Sequence, residues 1–152
     1  MPRRVTKAFA RGLALAATLG ASLPAWSQGT TERVSLGPNG VQGNGDSGSY
    51  GSYAKAALSV DGRFVAFQSF ASNLVPGDTN GERDVFVRDR QTGTTERVNL
   101  GPNGVQGNDF SGSYGAIPAL SANGRFVAFD SSANNLVQDD TNGQADVFVH
   151  TR

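Results

Sequence analysis

Apolar positions in this chain fall in short consecutive runs and follow no helical period. The runs are Phe64-Val65-Ala66-Phe67, Val85-Phe86-Val87, Phe126-Val127-Ala128-Phe129 and Val147-Phe148-Val149. A short strand that is apolar on successive positions is packed on both faces. Two other segments, Thr30 to Leu36 (TTERVSL) and Thr94 to Leu100 (TTERVNL), alternate and also predict strands. The Gly-, Asn- and Ser-rich stretches Gly37 to Gly51 and Gly101 to Gly115 predict loops. Ala56 to Ser59 predicts a further short strand. It is followed by Asp61-Gly62, and its counterpart by Asn123-Gly124. Such dipeptides supply the positive φ angles of a tight hairpin turn.

The pattern repeats. Leu58 to Arg90 returns as Leu120 to Arg152, with 22 of 33 positions identical, and Thr30 to Gly51 returns 64 positions on with 19 of 22 identical. The offset then falls to 62, because SYAKAA (Ser52 to Ala57) is replaced by AIPA (Ala116 to Ala119). Each period holds four short strands joined by turns, the arrangement of a propeller blade. With the strands lettered a to d from inner to outer, the chain reads d, a-b-c-d, a-b-c. The expected fold is all-β: two four-stranded antiparallel propeller-type blades, with repeats at about 30–93 and 94–152. Two blades do not close a ring, which takes about four to eight, so a monomer is an incomplete propeller.

The N-terminus has another character. Arg3, Arg4, Lys7 and Arg11 precede the apolar run Gly12 to Leu23, and Ala25-Trp26-Ser27 provides small residues for cleavage. This is the pattern of a secretory signal peptide over 1–27, leaving 28–152 as the exported repeat region, periplasmic or secreted. The apolar run is shorter than the roughly 20 residues a membrane helix needs, so no membrane span is expected after cleavage. The whole chain carries 13 cationic and 13 acidic side chains, and four of the cations but none of the acids lie in 1–27. The exported part is left with nine cations against 13 acids, a net −4. That balance, with scattered arginines, argues against nucleic acid as a partner. Cysteine is absent, which excludes disulfides and a cysteine-linked lipid anchor.

The strings LSVDGRFVAF and DVFVRDRQTGTTERV resemble the repeat of the TolB-like, or WD-like, β-propellers. The matching positions are Ser59, Asp61, Gly62, Arg63, Val65, Ala66 and Phe67, then Asp84, Val85, Phe86, Val87 and Asp89. The second copy departs at Asn123 and Thr151. The resemblance spans essentially all of 28–152. It implies the fold and, by analogy, protein or peptide binding at the cell envelope. TolB-like propellers have about six blades and this chain has two repeats. Three outcomes are open: a piece of a larger propeller without activity of its own, a homo-oligomer (trimer or tetramer) that closes a ring, or a small sandwich of two sheets. In the ring, the leading strand of one chain would complete the last blade of the next.

Candidate sites follow from the loops. The d-to-a and b-to-c loops are long and share one rim of a blade, where binding residues concentrate. Tyr50, Tyr53, Phe110 and Tyr114 lie on them, suited to stacking on a glycan or peptide or else to filling gaps between blades. Asp78-Thr79-Asn80-Gly81-Glu82-Arg83-Asp84 recurs as Asp140 to Asp146. Oxygen side chains at Asp78, Asn80 and Asp84, and at Asp140, Asn142 and Asp146, suit Ca²⁺, which takes six to eight oxygen ligands. The loop is like a clipped calcium loop of integrin-type propellers, yet it is shorter than an EF-hand loop and lacks the terminal Glu. The competing expectation is that these side chains bond the local backbone. Catalysis is not expected: the single histidine, His150, has no counterpart in the first copy, and no G-x-S-x-G elbow occurs. The functional expectation is an exported binding or scaffold module for protein, peptide or glycan. The alternatives are an inactive fragment and a calcium-stabilised repeat.

Overall fold

The computed structural model describes residues 29–48, 56–113 and 116–152. The predicted signal peptide lies outside them. Residues from Glu32 to Arg152 form one compact unit.

That unit is two antiparallel sheets. The first runs β1 (Ala57–Leu58), β2 (Phe64–Ser69), β3 (Asp84–Asp89) and β4 (Thr94–Arg97), in that spatial order. The second runs β5 (Ala119–Leu120), β6 (Phe126–Ser131) and β7 (Asp146–Thr151). Registers repeat along with the sequence: Ser69 faces Asp84 as Ser131 faces Asp146, and Phe67 faces Phe86 as Phe129 faces Phe148. Among the described residues the only helical pieces are two single 3-10 turns, Pro38–Gly40 and Pro102–Gly104, and no helix is long and apolar enough to cross a membrane.

The consecutive apolar runs are strands, and in the first sheet both faces are covered. Every residue of β3 is buried. On one face Ala66, Val85, Val87 and Val98 pack against Val127, Phe129, Ala133 and Leu136 of the second repeat. On the other, Phe67 and Phe86 pack with Ala71 and Leu74. The same run in β7 behaves differently. Its burial alternates, and Val147 and Val149 are 78% and 66% exposed. The sequence is shared; among the described residues the covering layer is present on β3 and missing on β7.

Two expectations are corrected. The second sheet has the three strands a-b-c of the chain order, so the blade expected to hold four lacks its outer strand among the described residues; the leading segment, expected as a strand over Thr30 to Leu36, forms none, and only Leu36 is bridged, to Gln42. Its copy, β4, is a strand because β3 gives it an edge to pair with, whereas no described strand does so for Glu32 to Leu36. The hairpin turns also differ from expectation. Only the glycines, Gly62 at φ 68° and Gly124 at φ 72°, take positive φ. Asp61 and Asn123 act through their side chains, each accepting the N–H two residues on, from Arg63 and Arg125, at 3.0 Å. Each also accepts the hydroxyl of a serine two residues back, Ser59 or Ser121. The turn is therefore built on side-chain-to-backbone bonds plus one glycine.

The sheets meet closely. The Val60 N–H donates to the Ala122 carbonyl at 2.9 Å, Gln68 Nε2 donates to the Ala116 carbonyl at 3.2 Å, and the Arg152 guanidinium lies 4.1 Å over the Phe64 ring. A Cβ at Gly124 would sit 2.2 Å from Phe64 Cδ2. That distance leaves room for glycine alone.

Candidate functional site

All the long described loops gather at one end of the sheets. The Phe70 N–H donates to the Asp46 carbonyl at 2.9 Å, which ties the 37–48 loop to the β2–β3 loop. Asn73 fastens them further: its Oδ1 accepts the Asn44 N–H at 2.9 Å and its Nδ2 donates to the Gln42 carbonyl at 2.8 Å. The second repeat reproduces the clasp, with Asn135 Oδ1 accepting from the Asn108 N–H at 3.0 Å and Nδ2 donating to the Gln106 carbonyl at 2.9 Å. The repeats are then linked to each other, since Asn80 Nδ2 donates to the Gly107 carbonyl at 3.0 Å and Gln106 Oε1 accepts the Thr79 N–H at 3.3 Å. The result is a continuous polar rim. Short turns occupy the opposite end.

Of the four aromatic candidates, Phe110 lies among the described residues, while Tyr50, Tyr53 and Tyr114 lie outside them. Phe110 is on the rim and exposed, and its carbonyl accepts the Ser132 N–H. A second exposed rim aromatic, Phe70, opens the β2–β3 loop and is not among the candidates the sequence offers. The Arg83 guanidinium stands 5.5 Å over its ring.

The first acidic loop already holds a cation, and it is a side chain. Arg97 Nη1 lies 3.3 Å from Asp78 Oδ1 and 3.2 Å from Asp84 Oδ2, and it donates to Gln106 Oε1 at 2.7 Å. Both carboxylates are buried. Burial and the charge of Asp84 raise the Asp78 carboxyl above its ordinary value, against the pull of Arg97. Asp84 Oδ1 accepts from Asn80 Nδ2 at 3.2 Å and from Asn99 Nδ2 at 2.6 Å. Asn80 Oδ1 is turned to the Glu82 N–H at 3.0 Å. Sequence reading located the acids and missed Arg97 and Asn99. The signal was there in the register: a β4 paired along β3 sets Arg97 opposite Phe86, two positions past Asp84.

The second acidic loop has the same local turn and, among the described residues, no such arginine. Asn142 Nδ2 donates to Asp146 Oδ2 at 2.8 Å and Asn142 Oδ1 accepts the Gln144 N–H at 2.8 Å. Asp139, Asp140, Asn142 and Asp146 line an open depression together with Val147 and Phe148. Among the described residues there is no group of three or more His, Asp or Glu side chains placed to hold a metal ion. His150 sits in β7, and burial lowers its imidazole below its ordinary value.

No protein-family model matches this chain, and a search of curated proteins finds no match to it.

Proposed function

We propose that the chain is an exported, propeller-type repeat module that binds peptide, protein or glycan on its loop rim and catalyses no reaction. The observation that carries the reading is the rim itself. Four loops from two repeats converge there, pinned by paired asparagine side chains, so the loop backbone is held in place before any ligand arrives. Such preorganisation lowers the ordering cost of binding. Exposed Phe70 and Phe110 offer flat apolar faces among amide groups, a combination suited to sugar rings or extended peptide. The propeller reading rests on the stacking of two like sheets with a repeated register and on the resemblance of the strand motifs to TolB-like repeats.

The test is binding of the purified protein to glycan and random-peptide arrays, with hits requantified by calorimetry. The Phe110→Ala variant is expected to weaken a genuine rim ligand about tenfold, in line with the roughly 1–3 kcal/mol of a stacking contact. An array without hits, or hits indifferent to both Phe110→Ala and Phe70→Ala, contradicts the reading.

A further inference from the structure

One strip of the rim crosses the boundary between the two repeats. Phe70 opens the β2–β3 loop and Arg83 closes it, and the Arg83 guanidinium stands 5.5 Å over the Phe70 ring. The Arg83 carbonyl accepts the Ser111 N–H at 2.7 Å. That bond brings Phe110, one residue before Ser111, onto the same stretch of rim. Phe70 is 41% exposed and Phe110 37%, while Arg83 is buried. A main-chain bond holds each phenylalanine: the Phe70 N–H donates to the Asp46 carbonyl at 2.9 Å, and the Phe110 carbonyl accepts the Ser132 N–H at 3.1 Å. The repeats share this scaffold but not its surface. Ser132 stands where the first repeat has Phe70, Ala145 where it has Arg83, and Asp46 where the second repeat has Phe110. The aromatic strip therefore occurs once, at the junction.

The chemistry of the strip selects a ligand class. Its main chain is already paired. Besides the N–H groups of Phe70, Ser111 and Ser132, those of Gly48 and Gly112 donate at 2.7 Å to the carbonyls of Gln68 and Asp130. An extended peptide that binds by strand addition draws on unpaired main-chain groups, and these donors are taken. Aromatic faces are on offer instead, and the apolar C–H faces of sugar rings pack on such surfaces. Charge narrows the class further. Asp46 is exposed and Asp109 partly so, and the arginine of the strip is buried beneath the surface. Carboxylates accept sugar hydroxyls in charge-assisted hydrogen bonds and repel an acidic polymer.

Taking the rim as the binding surface proposed above, we infer that this strip is a subsite for an uncharged linear glycan, with one sugar ring on Phe70 and another on Phe110. Two platforms on one pinned rim make affinity depend on ligand length. A short sugar engages one ring, whereas a longer chain engages both, the second contact forming within the complex already made. Arg83 braces both platforms, its guanidinium against Phe70 and its carbonyl on the residue after Phe110.

The test is calorimetric titration of the purified protein with cello-, chito- and malto-oligosaccharides, from monosaccharide to hexasaccharide. Uronic-acid oligomers of the same lengths and random peptides are titrated beside them. At least one neutral series should bind, with affinity rising with length to a plateau, and the acidic oligomers should bind more weakly. Phe70→Leu and Phe110→Leu keep apolar volume but lose the flat face, and circular dichroism verifies their fold. Each should weaken the longest oligomer about tenfold and remove the gain from lengthening. Phe70→Tyr and Phe110→Tyr keep the face and should keep the length dependence. Neutral oligomers that fail to bind overturn the inference, as does binding indifferent to length or to both leucine substitutions, or tighter binding of acidic oligomers. Phenylalanine-dependent binding of peptides alone would overturn the glycan assignment and leave the rim a binding surface; no binding of either class would remove both.

Discussion

At the scale of single residues, Arg97 carries the most weight. One guanidinium bridges two buried carboxylates and donates to Gln106. Removing one partner of a buried ion pair typically costs about 3–5 kcal/mol, because it strands the opposite charge. Arg97→Ala is therefore expected to lower unfolding stability in urea by that order, and to do so equally with and without added calcium. A loss under about 1 kcal/mol, or full rescue of Arg97→Ala by calcium, would mean the acids are held by something other than this arginine. Sequence reading found Asp78, Asn80 and Asp84 as a cluster because oxygen side chains around a glycine turn are visible in a string. It did not find their counter-ion, because Arg97 reaches Asp84 across 13 residues through strand pairing. Local spacing states which groups are neighbours in a loop; the ladder decides what neutralises them.

At the scale of elements, β1, β2 and β3 were legible to within a residue or two, while β4 ends at Arg97, three residues short of the predicted Leu100. Phe64–Ser69 and Asp84–Asp89 appear where consecutive apolar positions placed them, and the loops between them appear where Gly, Asn and Ser gather. The turns were legible only in part. Asp-Gly and Asn-Gly marked them, but the aspartate and asparagine contribute acceptors instead of left-handed backbone. The failure at Glu32 to Leu36 has a plain cause: alternation gives a segment two usable faces but does not supply an edge to bond. Gly62 and Gly124 separate backbone strain from packing. They share nearly the same φ, yet a Cβ at Gly62 would meet nothing closer than Arg90 Nη1 at 3.5 Å, whereas at Gly124 it would strike the Phe64 ring. Gly62→Ala is expected to cost about 1 kcal/mol from backbone alone. Gly124→Ala should cost roughly 1–3 kcal/mol more, from overpacking the contact between sheets. Equal losses in thermal unfolding would show that the two sheets do not abut at Phe64.

At the scale of the whole molecule, repetition made the all-β architecture readable, and asymmetry within the repeat is what the structure adds. Among the described residues, the first sheet is covered on both faces and paired on its outer edge, whereas the second is covered on one face and carries no strand beside β7. That difference is invisible in the strand sequences, which share Asp-Val-Phe-Val, and it arises only from what lies beside each sheet. The central claim is that β4 closes the outer edge of β3, whereas no described strand lies along the outer edge of β7. Hydrogen exchange of the outward amides tests it directly. The Val85 N–H points toward the β4 side, as its bond to Asn99 Oδ1 shows, and strand alternation puts Val87 on that side too. Their copies, Val147 and Val149, therefore carry the outward amides of β7. The account predicts that Val85 and Val87 exchange slowly at every protein concentration. Val147 and Val149 should exchange fast at the same concentrations. Val147 and Val149 amides that exchange as slowly as those of Val85 and Val87 would contradict it.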